Sequence, residues 1–245
     1  MATSPKALAR LAGALYVTMA VCAGFAEFFV RSRLIASGDA AMTADNIRAS
    51  SALFRTGIVV DLGQNVVFLL TAVVLYLLLR QVNPVAAGLM VTFVVISVAI
   101  QCLNLLNQYT AWTIATSEEY ARVFGRPGAD ALTLLYANMQ HNGFVVAEVF
   151  FALWLLPLGY LVIKSGYFPP VLGYLLIAAC AGYLADVFTR FLAPGVADTI
   201  NPAVGGLGAV AELSFAGYLL VRGVRTPPSR PADTPAAMVA AGRTT

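Results

Sequence analysis

Six apolar runs separated by polar segments cover most of the chain, at residues 11–30, 56–79, 85–112, 138–163, 170–191 and 202–222. Each holds at least the ~20 residues a helix needs to cross a hydrocarbon core about 30 Å thick. The pattern predicts an all-α, polytopic integral membrane protein, with six transmembrane helices in one bundle spanning residues 1–225. Lys6 and Arg10 precede the first run. That run resembles a signal peptide, but five more spans follow and it is read as retained.

Local signals set the expected boundaries. In the polar stretch 31–54, Gly38 and Asp39 make a turn and Thr43 to Asn46 offer a helix cap. Ile47 and Phe54 are one heptad apart, so this piece is expected on the membrane surface, leading into the second span. Asn83-Pro84 restarts the chain with proline in the first turn, where its missing N–H does no harm. Residues 116–130 read as a loop around Arg126-Pro127-Gly128. The fourth helical pattern begins at Ala131 and runs to Ile163, about 50 Å, so it tilts or projects into the headgroups. Pro157 is expected to kink it. Pro169-Pro170 starts the fifth span, Ala193-Pro194-Gly195 ends it, and Asn201 with Pro202 opens the sixth. Gly205 and Ala209 form a small-residue pair suited to close helix contact. From Thr226 the tail, residues 226–245, has little to bury and is expected to be disordered.

Composition agrees with a membrane protein. Of 245 residues, 60% are hydrophobic and 11% charged, against about 25% charged in soluble domains. A net charge of +3 without a basic run argues against a nucleic-acid partner. The expected partners are the lipid bilayer and an unidentified small molecule. Positive charges divide almost evenly between the two sides. The two short loops that carry Arg80 and Lys164 favour cytoplasmic N- and C-termini. Cys22, Cys102 and Cys180 lie in apolar runs without Cys-x-x-Cys spacing and read as small core residues.

The polar residues inside the spans carry the functional signal, because ionisable groups at membrane depth are costly and need partners. The first span has Glu27, the second Asp61, Gln64 and Asn65, and the third Gln101, Asn104, Asn107 and Gln108. The fourth has Asn138, His141 and Glu148, the fifth Asp186 and Arg190, and the sixth Glu212. Arg55 borders the second span. Asn138, His141, Val145 and Glu148 step by three and four along one helix face, with His141 and Glu148 about 10 Å apart. Asp186 and Arg190 are four apart and can pair.

With the alternating topology, all six spans place polar groups in the same, non-cytoplasmic half. The other half, for example residues 66–79 and 150–163, is nearly all apolar. The expectation is an acidic polar cavity open outward and closed inward by an apolar plug. Its candidate ligand-binding residues are Glu27, Asp61, Gln64, Gln101, Asn104, His141, Glu148, Asp186, Arg190 and Glu212. A single histidine makes neither a usual multi-histidine metal site nor a bis-histidine haem, and no phosphate loop or Gly-x-Ser-x-Gly elbow occurs. No cofactor or metal is expected.

Four segments carry a family resemblance. They are Leu8-Ala-Arg-Leu-Ala-Gly-Ala-Leu-Tyr, Thr43-Ala-Asp-Asn-Ile, Leu53-Phe-Arg, and Gly159-Tyr-Leu-Val-Ile-Lys-Ser-Gly-Tyr-Phe-Pro-Pro-Val-Leu-Gly-Tyr-Leu-Leu. Over about residues 8–222 the chain resembles the bacterial membrane family catalogued as domain of unknown function 4386. The resemblance implies a helical protein of the bacterial cytoplasmic membrane and no established activity.

Three functions fit these residues. The first is small-molecule binding, transport or sensing in the cavity. The second is an intramembrane enzyme in which Glu148, Asp186 or Glu212 acts as a protonated acid on a lipid or isoprenoid-type substrate, with Phe144, Trp154 or Tyr183 lining the pocket as a cyclase or isomerase requires. The third is a structural or accessory role, with the polar groups as interhelical hydrogen bonds at about 0.6 kcal/mol each.

Overall fold

A computed structural model describes residues 4–225, so the expected disordered tail lies outside the described residues. These residues contain helices and no strand. Six helices are long and apolar enough to cross a membrane. They are α1 (Pro5–Leu34), α3 (Ser51–Leu79), α4 (Pro84–Thr116), α5 (Glu118–Ser165), α6 (Pro170–Leu192) and α7 (Pro194–Val221), whose described apolar part is Ala203–Val221. A short helix, α2 (Ala40–Ala49), sits between α1 and α3.

Sequential neighbours pack together, and α7 returns to pack on α1, so the six long helices close a ring. The ring is filled with side chains. Tyr16 of α1, Phe68 of α3, Met90 of α4, Trp154 of α5, Leu176 of α6 and Phe215 of α7 belong to one buried cluster. Residues expected to form the apolar plug lie in it, including Leu75, Leu78, Leu155, Leu158 and Val162. A smaller cluster of Val30, Leu34, Ile47, Phe54 and Ala115 fastens α2 to the ends of α1, α3 and α4.

Several boundaries follow the expected chemistry. The Asn83 side chain accepts from the Ala86 N–H, and Pro84 opens α4. Pro170 opens α6. Others differ for identifiable reasons. Asp39, not Thr43 to Asn46, caps α2 by accepting from the Met42 N–H, while Thr43 turns inward and bonds Ala36. The expected loop at 116–130 is helical, because Ser117 caps a new helix at once. That helix breaks at Gly125, whose φ of 72° glycine tolerates, and Pro157 lies inside its later, continuous part. Helix α7 begins at Pro194, so Asn201 and Pro202 fall within it. A proline in the first turn costs nothing, so Ala193-Pro194 ends one helix and starts the next.

Gly205 and Ala209 are both exposed, and a methyl group on Gly205 would meet nothing within 4 Å among the described residues. The tight crossing of α7 is elsewhere. A methyl group on Gly13 of α1 would overlap the Leu220 backbone.

The end of α1 departs most from expectation. Residues Phe25–Arg31 are wound as a π-helix, and helical structure continues to Leu34. Such widened turns recur at functional sites. Here the widened turn keeps Arg31 on the helix and aims it back at the bundle.

Candidate polar pocket

Arg31 anchors the polar end of the bundle. Its Nη1 donates to Asp61 Oδ2 of α3 at 2.8 Å, and its Nε donates to Glu27 Oε2 at 2.8 Å. Asp61 is 8% exposed, and Glu27 is largely exposed. One guanidinium is therefore held between a buried carboxylate and a surface one. Across the gap, Arg190 Nε donates to Asp186 Oδ2 at 2.7 Å, with Asp186 2% exposed. This is the expected pairing one turn apart on α6.

Between these pairs lies a pocket of about 580 Å³. The π-helical end of α1 contributes Glu27 and Arg31, and the segment after it Ser37. Helix α5 contributes Asn138, His141, Val145 and Glu148, the four residues placed on one face by their spacing, together with Gln140. Arg190 closes the α6 side. Glu148 makes no side-chain hydrogen bond or ion pair among the described residues, and the same holds for His141.

Of the ten residues nominated from the sequence, Glu27, His141, Glu148 and Arg190 line this pocket. Asp61 and Asp186 stand behind it, holding its two arginines. The remaining four are elsewhere. Asn104 Nδ2 donates to the Gln140 carbonyl at 2.6 Å, joining α4 to α5. Gln101 Nε2 turns along its own helix to Ser97 Oγ, 3.2 Å away. Gln64 is half-buried on α3, outside the pocket lining.

Glu212 lies deeper, bonded by Tyr16 and Tyr183. Tyr16 precedes Glu27 by eleven residues, about 16 Å of helix. The expectation that all six spans put their polar groups at one end therefore fails for the sixth.

Arg31 is the main pocket residue that sequence reasoning missed. Hydropathy falls at Arg31-Ser-Arg, which placed it in a loop. Arg55, at the border of the second span, stacks its guanidinium on the Trp112 ring at 5.6 Å. Tyr16 was missed too, although a tyrosine deep in an apolar span needs a partner for its hydroxyl. Behind the pocket, Asn65 Oδ1 and the whole Gln108 amide are buried without a hydrogen-bond partner among the described residues. They sit one turn from Asp61 and Asn104, so the polar interior reaches past the pocket wall.

No group of three or more His, Cys, Asp or Glu side chains suited to a metal ion occurs among the described residues. A ring of six apolar helices with a polar pocket at one end defines a multi-pass helical membrane protein. The chain belongs to the family described as "Domain of unknown function (DUF4386)", which it matches over residues 11–223. It is also similar to an uncharacterized protein of Archaeoglobus fulgidus, 30% identical over 152 residues, or 62% of this chain and 74% of that protein. That relative is archaeal, so such sequences are not confined to bacteria. No solved structure matches the chain.

Proposed function

We propose that this protein binds a small molecule in the pocket between α1, α5 and α6, and that the molecule is cationic. The observation that supports this is an excess of acid. Glu27, Asp61, Glu148 and Asp186 surround Arg31 and Arg190, and the arginines already bond three of the four carboxylates. Glu148 is left over, at the pocket wall. A positive group resting against Glu148 balances that charge, and His141, two turns away on the same helix face, supplies a further hydrogen-bonding partner.

In this reading the protein is a transporter or sensor of the cytoplasmic membrane, both termini are cytoplasmic, and the pocket opens outward. Below the pocket the bundle is closed by the apolar cluster around Trp154, so passage of a ligand needs a rearrangement of the helices. The pocket is a polar cup rather than an apolar tunnel, which counts against a lipid cyclase.

Direct binding tests the reading. Purified protein in lipid nanodiscs is titrated with tetraethylammonium, choline and, as the anionic control, benzoate. Binding of a cation with Glu148→Gln weakening it at least tenfold, about 1.4 kcal/mol, is the expected result. Preference for benzoate, or equal cation affinity in wild type and variant, overturns it.

A further inference from the structure

We propose that Glu212, clasped by Tyr16 and Tyr183, is a proton-binding site inside the membrane, distinct from the pocket above it. Its carboxylate accepts from the Tyr16 hydroxyl at Oε2, 2.6 Å away, and from the Tyr183 hydroxyl at Oε1, 2.9 Å away. Both oxygens are thus occupied by donors from two different helices, α1 and α6. The acid is 9% exposed, and no Lys, Arg or His side chain pairs with it among the described residues. Its surroundings are aromatic. The Tyr16 ring lies 5.6 Å from Trp154 and 6.4 Å from Phe215, and the Tyr183 ring 5.7 Å from Phe151.

This arrangement is specific. Gly208 lies one turn before Glu212 on α7, and a methyl group there would overlap the Tyr183 hydroxyl. The notch lets the phenol pass α7 to reach the acid. A carboxylate held this way away from water, without a cation, is expensive in its charged form. Both carboxylate oxygens are already taken by phenols, and Glu212 lines neither the pocket beside Arg31 and Glu148 nor the one beside Arg222. A proton is the cation that needs no cavity.

Both charge states can be hydrogen-bonded, because a phenol donates as well as accepts. In the ionised state both tyrosines donate. On protonation a hydronium ion from the aqueous phase gives up one O–H bond and leaves as water, a new O–H bond forms on Glu212, and one tyrosine turns its hydroxyl to accept. Tyr16 faces the acid from α1 and Tyr183 from α6. Glu148 of α5 acts electrostatically on Tyr183. Cys180 of α6 is directed to the Leu156 backbone instead.

The site is placed to communicate with the pocket. Along α6, Tyr183, Asp186 and Arg190 climb at steps of three and four, so Arg190 is about 10 Å above Tyr183. Phe151, in ring contact with Tyr183, is one turn from Glu148.

Infrared difference spectroscopy on the full chain in nanodiscs, without any ligand, tests the assignment. The wild type is expected to show a protonated-carboxyl carbonyl band that titrates with pH. Glu212→Gln loses one component of that band. Tyr16→Phe and Tyr183→Phe each shift its frequency and midpoint. A Glu212→Gln titration identical to wild type overturns the proposal. Should Glu212→Gln fail to assemble, the two phenylalanine variants decide: shifted bands support the site, and titrations that match wild type overturn it. Because no ligand is added, the outcome stands apart from the fate of the cation-binding reading.

Discussion

Arg31 and Asp61 are joined at 2.8 Å across thirty residues of sequence, and that ion pair ties the π-helical end of α1 to α3. Asp61 is nearly buried and has no other hydrogen-bond partner among the described residues. Removing Arg31 leaves a buried charge uncompensated, which costs about 3 kcal/mol. Arg31→Ala is therefore expected to unfold at a markedly lower temperature in detergent. Asp61→Asn in the same chain restores much of the loss, since the orphaned charge is gone. Equal destabilisation in the single and double variants would show that the pair is not coupled.

The pair also shows what the sequence exposes and what it hides. Six spans are legible because apolar runs of membrane length have few other uses. The Asp186 and Arg190 pair is legible because a helix brings residues four apart together. Asn138, His141, Val145 and Glu148 share a pocket wall for the same reason. Arg31 was hidden because the chain turns polar there, and a hydropathy pattern reads that as the end of a span. The π-helical winding that keeps Arg31 on the helix has no apolar period to announce it. The Tyr16 and Glu212 bond joins residues 196 positions apart. Nothing local encodes it, and only the return of α7 to α1 creates it.

The π-helical stretch makes a second prediction. A widened turn holds one residue more than an α-helical turn, so deleting the exposed Phe28 lets the segment Phe25–Arg31 relax to α-helix. The deletion turns Arg31 away from Asp61 or Glu27 away from the pocket. The deletion variant is expected to lose about as much thermal stability as Arg31→Ala, and adding Arg31→Ala to it costs little more. Additive losses would separate the π-turn from the ion pair.

Gly208→Ala drives a methyl group into the Tyr183 hydroxyl. Overpacking of this kind costs roughly 1–3 kcal/mol. The loss is expected to shrink when Tyr183 is also replaced by alanine, because the clash partner has gone. A thermal-unfolding cycle of the four proteins measures this, and a Gly208→Ala penalty unchanged by Tyr183→Ala sinks the packing account.

The last prediction concerns α2, the short helix between α1 and α3. Arg48 Nη1 donates to Asp130 Oδ1 of α5 at 2.8 Å and to the Ala115 carbonyl of α4 at 3.4 Å, while its Nη2 bonds Asp45. Burial works against the charged guanidinium, but Asp130 and Asp45 outweigh it and raise the Arg48 pKa further, so this latch stays charged throughout the accessible pH range. Apart from the apolar contacts of Ile47, it is the main tie between α2 and the ring. Arg48→Ala is expected to free α2 and the turn around Gly38 and Asp39. The measurement is limited proteolysis in nanodiscs, where cleavage within residues 35–50 should accelerate severalfold while the six long helices stay intact. Since Ser37 of that segment lines the pocket, the same variant should also weaken cation binding, whereas a pocket with rigid walls would bind unchanged after the latch is cut.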